Sequence, residues 1–429
     1  MRIHVLADSD TRWKWGGELA QRLHSEPRVH AHLLNGRATP TERQMAEVGI
    51  EPDTVTQSTV AEFIQNPELA HADVLIVGSV GGTTQAILHG LARRFEHTRK
   101  RPVLVTGYVG VVYENVTDGL MLRGGADIVL ANSPFDARRF REIYGGLGVD
   151  TDSVVQTALP FLADHEAYDD TRAGATHPVT VTFAVQPSVP KEREGRLYIL
   201  GRAFQHARLH PEREVIIKLR SQPGEATTHI EKDHYELLAE RLEQEQPPNL
   251  HFVYGNMAEV LDRTDLMVTV SSTAALESMQ RGIPTVILSD CGVREVHGNH
   301  YFTGSGCVAS WDDIDAGRLP HARREWLEDQ GILAKDPYEQ LRRRIAELVD
   351  IPGGLPPIKP YYTMQNAAAY LPKLLSRRGL DTDGTPLPYS EPNAQRRSLM
   401  ARASRKALRR AYRFGAQTVA PKIQRWGGL

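Results

Sequence analysis

Three consecutive hydroxyl residues, Ser271-Ser272-Thr273, stand between an apolar run and a segment with the pattern of a helix. The run Asp265–Val270 predicts a buried strand, and the helix is expected over Ala274–Arg281. The first turn of a helix has unpaired N–H groups and the positive end of the helix dipole, so small side chains there let a phosphate approach. Ser and Thr are also ordinary N-cap residues. The segment therefore predicts either a phosphate site or a capped helix.

Two cations, Lys218 and Arg220, stand at the end of the strand predicted over Glu214–Leu219. Residues two apart share one face of a strand, provided that the strand persists that far. Cations at the carboxyl end of a strand, beside a hydroxyl turn, would bind a phosphate leaving group. A solvated strand end is the alternative. Glu277, near the start of the predicted helix, is within reach of a ribose or of a backbone amine.

Short apolar runs alternate with helical patterns in two series along the chain. This alternation predicts an α/β fold with parallel, doubly wound sheets. We expect two α/β domains, over residues 1–163 and 179–350, joined by a polar linker at 164–178. A Pro- and Gly-rich stretch follows at 351–393, and a basic amphipathic helix is expected within 394–429.

Ligands of such sheets bind at the carboxyl ends of the strands. In the first domain, Asp8–Asp10, Gly78–Gly82 and Gly107–Asn115 follow apolar runs and should lie on one edge. The turn Gly81-Gly82-Thr83-Thr84 is similar to a phosphate-binding turn but lacks the G-x-G-x-x-G spacing. A dehydrogenase therefore has little support.

Composition excludes several classes of protein. The chain has 429 residues, 41% of them apolar and 24% charged, which is typical of a folded globular protein. Two cysteines provide neither a disulfide framework nor a CxxC metal site. Ten basic and no acidic residues follow Glu391, although the net charge of the whole chain is −2. This basic tail predicts contact with an anionic membrane surface or packing on the body, rather than nucleic-acid binding.

The stretch Ser271–Pro284 resembles the donor site of GT-B glycosyltransferases, in which a strand, a Ser/Gly-rich turn, a Glu-bearing helix and a G-x-P return bind the donor phosphate. It is most similar to bacterial capsule and cell-wall polysaccharide transferases, including the sialic acid and Kdo types. The resemblance implies two Rossmann-like domains that face each other across a cleft, a nucleotide-sugar donor, and neither a bound metal nor another cofactor. It also implies donor contacts at the loop that holds Gln186 and Ser188, where a stiff domain-entry turn is the alternative.

The chain departs from the sialic acid and Kdo enzymes after the strand that ends near Lys218. Those enzymes commonly have His-Pro at this point, whereas Lys-Leu-Arg-Ser-Gln-Pro stands here. His229, about ten residues further on, is a candidate replacement. One interpretation of the segment that contains Glu295, His297 and His300 is a metal site, because these residues are of the types that bind metals. The resemblance does not favour such a site.

An inverting glycosyl transfer needs a base that takes the proton of the acceptor hydroxyl. Asp10 and Glu114 are the candidates that we favour, and an ordinary turn residue is the alternative for Asp10. We expect a cytoplasmic glycosyltransferase, peripheral on the inner face of the membrane, that transfers a sugar to a cell-surface glycan or a lipid-linked acceptor. A sugar-nucleotide 2-epimerase on the same fold and a non-catalytic nucleotide- or glycan-binding protein are the alternatives.

Overall fold

The computed structural model describes residues 1–36, 38–98, 100–112, 116–162, 180–220, 222–223, 231, 233–242 and 244–388. Its contacts divide the chain into a body, Met1–Pro386, and a segment, Leu387–Leu429. The predicted linker at 164–178 and the predicted amphipathic helix at 394–429 lie outside the described residues. No helix within the described ranges has both the length and the apolar character that crossing a bilayer requires.

The first sheet has seven parallel strands in the spatial order β3-β2-β1-β4-β5-β6-β7. Its strands are β1 (Arg2–Ala7), β2 (Arg28–Leu34), β3 (Thr54–Ser58), β4 (Val74–Gly78), β5 (Val103–Gly107), β6 (Ile128–Ala131) and β7 (Val154–Gln156). The helices among them are α1 (Asp10–Leu23), α2 (Glu42–Val48), α3 (Val60–Gln65), α4 (Gly81–Arg94), α5 (Val116–Met121) and α6 (Pro134–Leu147). The carboxyl ends of β1, β4 and β5 are adjacent, as the sequence predicted.

The second sheet has six parallel strands in the order β10-β9-β8-β11-β12-β13. They are β8 (Thr180–Ala184), β9 (Glu214–Lys218), β10 (Leu250–Val253), β11 (Leu266–Thr269), β12 (Thr285–Leu288) and β13 (Val308–Ala309). The helices are α7 (Arg193–Leu209), α8 (Tyr235–Ala239), α9 (Met257–Asp262), α10 (Ala274–Gln280), α11 (Trp311–Asp315) and α12 (Arg324–Asp329), followed by α13 (Glu339–Val349) and α14 (Leu371–Ser376). Two sheets of this kind confirm the predicted pair of Rossmann-like domains.

Both faces of the first sheet are covered, which is why its strands are apolar almost throughout. Trp13 and Trp15 on α1 are buried in the core of one face. The same core includes Leu341 and Ile345 of α13, a helix that the sequence analysis placed with the second domain. Each such buried side chain stabilises the fold by about 1.5–3 kcal/mol. The chain therefore returns to the first sheet after completing the second.

The chain after α13 also packs on the first sheet, on its other face. Leu371 and Leu375 of α14 belong to the same buried cluster as Ile87 and Leu91 of α4. The stretch that the sequence marked only as rich in Pro and Gly thus contributes a helix to the core.

Candidate functional site

The carboxyl-end edges of the two sheets contact each other. Arg220, two residues after β9, reaches the first half of the chain, where its Nη2 lies 3.4 Å from Oδ2 of Asp10. The same nitrogen donates a hydrogen bond to the hydroxyl of Thr11. On the other side, a Cβ added to Gly110 would lie 3.7 Å from Cγ2 of Thr273. The structure thus brings Asp10, Arg220 and Thr273 to the place where the two halves meet.

Ser271, the first hydroxyl residue of the triplet, is turned into the protein and is only 3% exposed. Its hydroxyl donates to the carbonyl of His297 over 2.5 Å. The Oε1 atom of Gln186 accepts the Ser271 amide over 3.0 Å and lies 3.2 Å from the hydroxyl. A serine hydroxyl has one hydrogen to donate, and here a carbonyl of the protein accepts it. Ser271 and Gln186 therefore hold the turn in shape.

Ser272 and Thr273 are partly exposed, in contrast to Ser271. The Ser272 amide donates to the Thr269 hydroxyl over 3.2 Å, and its own hydroxyl oxygen accepts the Ala274 amide over 3.3 Å. Because Ser272 acts there as an acceptor, its hydroxyl hydrogen can still be donated. Within the described residues, Thr273 forms no capping hydrogen bond with its side chain. These two hydroxyls are the ones that the turn presents.

Lys218 and Arg220 do not extend along one strand face as the sequence predicted. The strand β9 ends at Lys218, so the alternation of side chains does not continue to Arg220. Lys218 is 7% exposed, and its Nζ donates to the main-chain carbonyl of Leu219 over 2.7 Å. Arg220 instead contacts Asp10 and Thr11 in the first half.

Ser188 lies partly exposed in the loop that follows β8. The buried Arg196 holds this loop, because its guanidinium donates to the carbonyls of Gln186 and Pro190 over 2.6 and 3.0 Å. The same guanidinium donates to a carboxylate oxygen of Glu231 over 2.8 Å. Sequence reasoning did not identify this role of Arg196.

Glu277 faces helix α1 of the first half. Burial raises the pKa of its carboxyl to about 7, the charge of Lys14 lowers it, and the charge of Glu18 raises it. Burial also raises the pKa of Glu18, whose carboxylate lies 3.6 Å from the Lys14 ammonium. Glu277 therefore lies close enough to α1 for the charges of Lys14 and Glu18 to affect its pKa, and its contact with a ribose stays a prediction.

Two further cations of the first half were missed by sequence reasoning. Nη1 of Arg12 lies 2.7 Å from Oδ1 of Asp8. Arg123 is 6% exposed, lies 4.1 Å from the ring centre of Tyr108, and donates through Nε to the Gly107 carbonyl over 2.9 Å. In a chain with so many arginines, neither position carries a distinctive local signal.

Two predicted residues, Glu114 and His229, lie outside the described residues. Among the residues that are described, one group of side chains has the spacing of metal ligands, namely His206, His210 and Asp315. Arg202 and Arg213 also contact this group, over 3.1 Å to Asp315 and 3.3 Å to His206. It lies at the carboxyl end of α7, about 20 Å along the helix from the sheet edge, so it is not part of this site.

The fold is similar to that of several solved structures. A "putative UDP-N-acetylglucosamine 2-epimerase" of Listeria monocytogenes has 13% identity, covers 81% of this chain and 95% of its own, and gives a TM-score of 0.51. MnaA of S. aureus, in a structure with UDP, gives the same values. The rhamnosyltransferase SpnG has 13% identity over 83% of this chain and 97% of its own, with a TM-score of 0.42. At such identities the first two establish the fold alone.

Sequence comparison gives one further result. No curated protein matches the chain. A family model does, over residues 3–348, and its description is "Putative glycosyltransferase (DUF6716)". The matched range includes both sheets and every described residue of the site.

Proposed function

The chain belongs to the family described as "Putative glycosyltransferase (DUF6716)", and on that premise we propose that it transfers a sugar from a nucleotide-activated donor to a cell-surface glycan or a lipid-linked acceptor. The observation that carries this proposal is the contact of Arg220 with Asp10. It joins the carboxyl-end edges of two Rossmann-like sheets, which is where such sheets bind ligands. A donor on one edge and an acceptor on the other would meet there.

The donor phosphates bind at the turn formed by Ser272 and Thr273, whose side chains are partly exposed at the start of α10. Lys218 adds a positive charge at the end of β9. Ser271 positions the turn, because its amide donates to Gln186 and its hydroxyl donates to the His297 carbonyl. The names of the two structural neighbours favour a uridine diphosphate sugar as the first donor to test. A capsule or Kdo-type sugar remains a prediction from the resemblance.

Asp10 is the base in the inverting form of the reaction. Its carboxylate takes the proton of the acceptor hydroxyl while that oxygen forms a bond to the anomeric carbon. The bond between the anomeric carbon and the donor phosphate oxygen breaks, and the diphosphate leaves as an anion. Fixed donors at Ser272, Thr273 and Lys218 stabilise the charge that develops on it. Arg220 must release Asp10 when the substrates enter, since the two side chains now contact each other.

An epimerase is the second candidate, because one neighbour carries that name. Epimerisation needs paired acids and histidines around a single sugar. The described acids that follow β1 are Asp8 and Asp10, and both contact arginines.

Incubation of the protein with a nucleotide sugar, with and without an acceptor fraction, separates the candidates. A transferase releases nucleoside diphosphate only when acceptor is present, and Asp10→Asn should lower that rate by about 10²–10⁴-fold without changing donor affinity. An epimerase converts the nucleotide sugar fully without acceptor, and a binding protein leaves it unchanged. Either of the last two results contradicts the proposal.

The localisation that we propose is cytoplasmic and peripheral on the inner face of the cell membrane. It depends on the ten basic residues after Glu391, which would lie on an anionic lipid surface and contribute roughly 1 kcal/mol each.

A further inference from the structure

The first turn of α4 has no side-chain cap. The N-cap residue is Val80, which offers no side-chain acceptor and is 42% exposed. The amides of Thr83 and Thr84 both donate to the Val80 carbonyl, over 2.8 and 3.0 Å. Within the part of the chain that the structure describes, the amides of Gly81 and Gly82 have no acceptor. A helix of 14 residues thus presents two N–H groups and the positive end of its dipole at the carboxyl-end edge of the first sheet.

A buried guanidinium without a carboxylate lies beside this turn. Arg123 is 94% buried, and its Nη1 lies 3.6 Å from the position that a Cβ on Gly81 would occupy. Its guanidinium donates to the main-chain carbonyls of Gly107 and Gly119 and lies 4.1 Å from the ring centre of Tyr108. No carboxylate among the described residues lies within ion-pair distance of it. Because a buried charge is costly unless an opposite charge compensates it, Arg123 itself points to an anionic ligand.

The charges around the turn leave a positive surplus. Among the described residues, the carboxylate in direct contact with this turn is Asp8, which accepts from Arg12 over 2.7 Å and from the Val80 amide over 3.2 Å. Arg12 and Arg123 with this one carboxylate leave a charge of about +1, which a phosphate group would neutralise.

We propose that Arg12, Arg123 and the amides of Gly81 and Gly82 bind a phosphate group carried by the acceptor. The assignment to the acceptor rests on the proposed function, since the donor is placed on the edge of the second sheet. Phosphate suits this group because guanidinium groups bind its oxygens in pairs and a helix N-terminus supplies further donors.

The test uses inorganic pyrophosphate as the probe and the shift of Tm as the readout, because a ligand of the folded state raises Tm. In Val80→Asp, the new carboxylate would cap the helix, so Tm without ligand should not fall, while the negative charge repels the anion. We expect the apparent Kd for pyrophosphate to rise at least tenfold in Val80→Asp and in Arg12→Gln. It should change less than twofold in Arg93→Gln, at the far end of α4, and in the double variant Ser272→Ala/Thr273→Ala.

Three outcomes decide the matter. An unchanged Kd in Val80→Asp overturns the proposal, as does a Kd that rises only in the Ser272→Ala/Thr273→Ala variant. Saturating UDP should leave the pyrophosphate shift in place, and loss of that shift would assign the site to the donor instead. Absence of any UDP binding counts against a uridine donor but leaves the comparison of Val80→Asp with wild type valid.

The same variant separates the two sources of such a phosphate. In the chain that ends at Pro386, which lacks the basic tail, sedimentation with phosphatidylcholine vesicles that contain phosphatidic acid, if it is reduced in Val80→Asp, identifies a lipid-borne phosphate. Sedimentation that is equal in both proteins, together with a pyrophosphate shift that depends on Val80, identifies a soluble glycan phosphate.

Discussion

Ser271 and Ser272 are adjacent in the chain but have different surroundings. Ser271 is buried and satisfies the His297 carbonyl, whereas Ser272 is partly exposed and accepts one helix amide. Removing a donor from a buried acceptor costs more than removing a hydroxyl that water can replace. The two serines should therefore differ in what their loss affects.

Ser271→Ala should lower the free energy of unfolding by about 1–3 kcal/mol, because the His297 carbonyl loses its donor. Ser272→Ala should lower it by less than about 1 kcal/mol and should raise the donor KM instead. Urea denaturation of both variants measures the first effect. Equal destabilisation by the two substitutions would contradict the division of roles.

The sequence predicted that Ser271, Ser272 and Thr273 stand at the start of a helix. It could not predict which of their hydroxyls are exposed. Ser271 forms hydrogen bonds with Gln186, 85 positions away in the chain, and with His297, 26 positions away. A local pattern of apolar and hydroxyl residues contains nothing about such distant partners.

At the scale of elements, α10 carries a titratable carboxyl, Glu277, whose pKa the charges of Lys14 and Glu18 on α1 affect. Glu277 has a pKa of about 7 in the folded protein, against an ordinary value of 4.5. The unfolded chain releases this proton near pH 4.5, whereas the folded protein keeps it to about pH 7. The contribution of Glu277 to stability is thus complete below pH 4.5 and is lost as the pH rises through 7.

Glu277→Gln should remove this pH dependence, because the amide stays neutral. Above pH 7 the variant should be more stable than wild type by about 1–2 kcal/mol, and the gain should disappear below pH 4.5. Thermal unfolding followed from pH 4 to 8 measures the difference, with the exposed Glu325→Gln as a control that keeps the wild-type profile. A gain that does not vary with pH would show that the carboxyl is not responsible.

Strands could be predicted where burial on both faces makes their residues mostly apolar. The runs that form β4, β5, β8 and β12 are buried throughout, and the sequence indicated each of them. The strand β3 was missed because four of its five residues are exposed, so neither alternation nor an apolar run marks it. The residues of helix α13 were assigned to the second domain, because an amphipathic face does not say which sheet it will cover.

At the scale of the whole molecule, the pairing of Asp10 with Arg220 depends on how two sheets are placed. Each residue could be predicted at the end of its own strand. Their contact, 210 positions apart in the chain, could not be predicted, because no local pattern fixes the orientation of one domain against the other.

The basic tail makes a prediction about the complete chain. With ten basic and no acidic residues after Glu391, the protein should sediment with vesicles that contain anionic lipid, and less so as NaCl rises. A chain that ends at Pro386 should lose this binding while keeping its Tm within about 2 °C, since Met1–Pro386 forms a compact unit of its own. Equal sedimentation of the shortened chain, or of either chain with neutral vesicles, would contradict membrane binding by the tail.

Calorimetric titration with uridine, cytidine, guanosine and thymidine nucleotides addresses the donor site most directly. One nucleotide should bind the wild-type protein, and its Kd should rise at least tenfold in Ser272→Ala/Thr273→Ala while Tm stays unchanged. An absence of binding by all four nucleotides, or an equal Kd in the double variant, would contradict a donor held by the turn between β11 and α10.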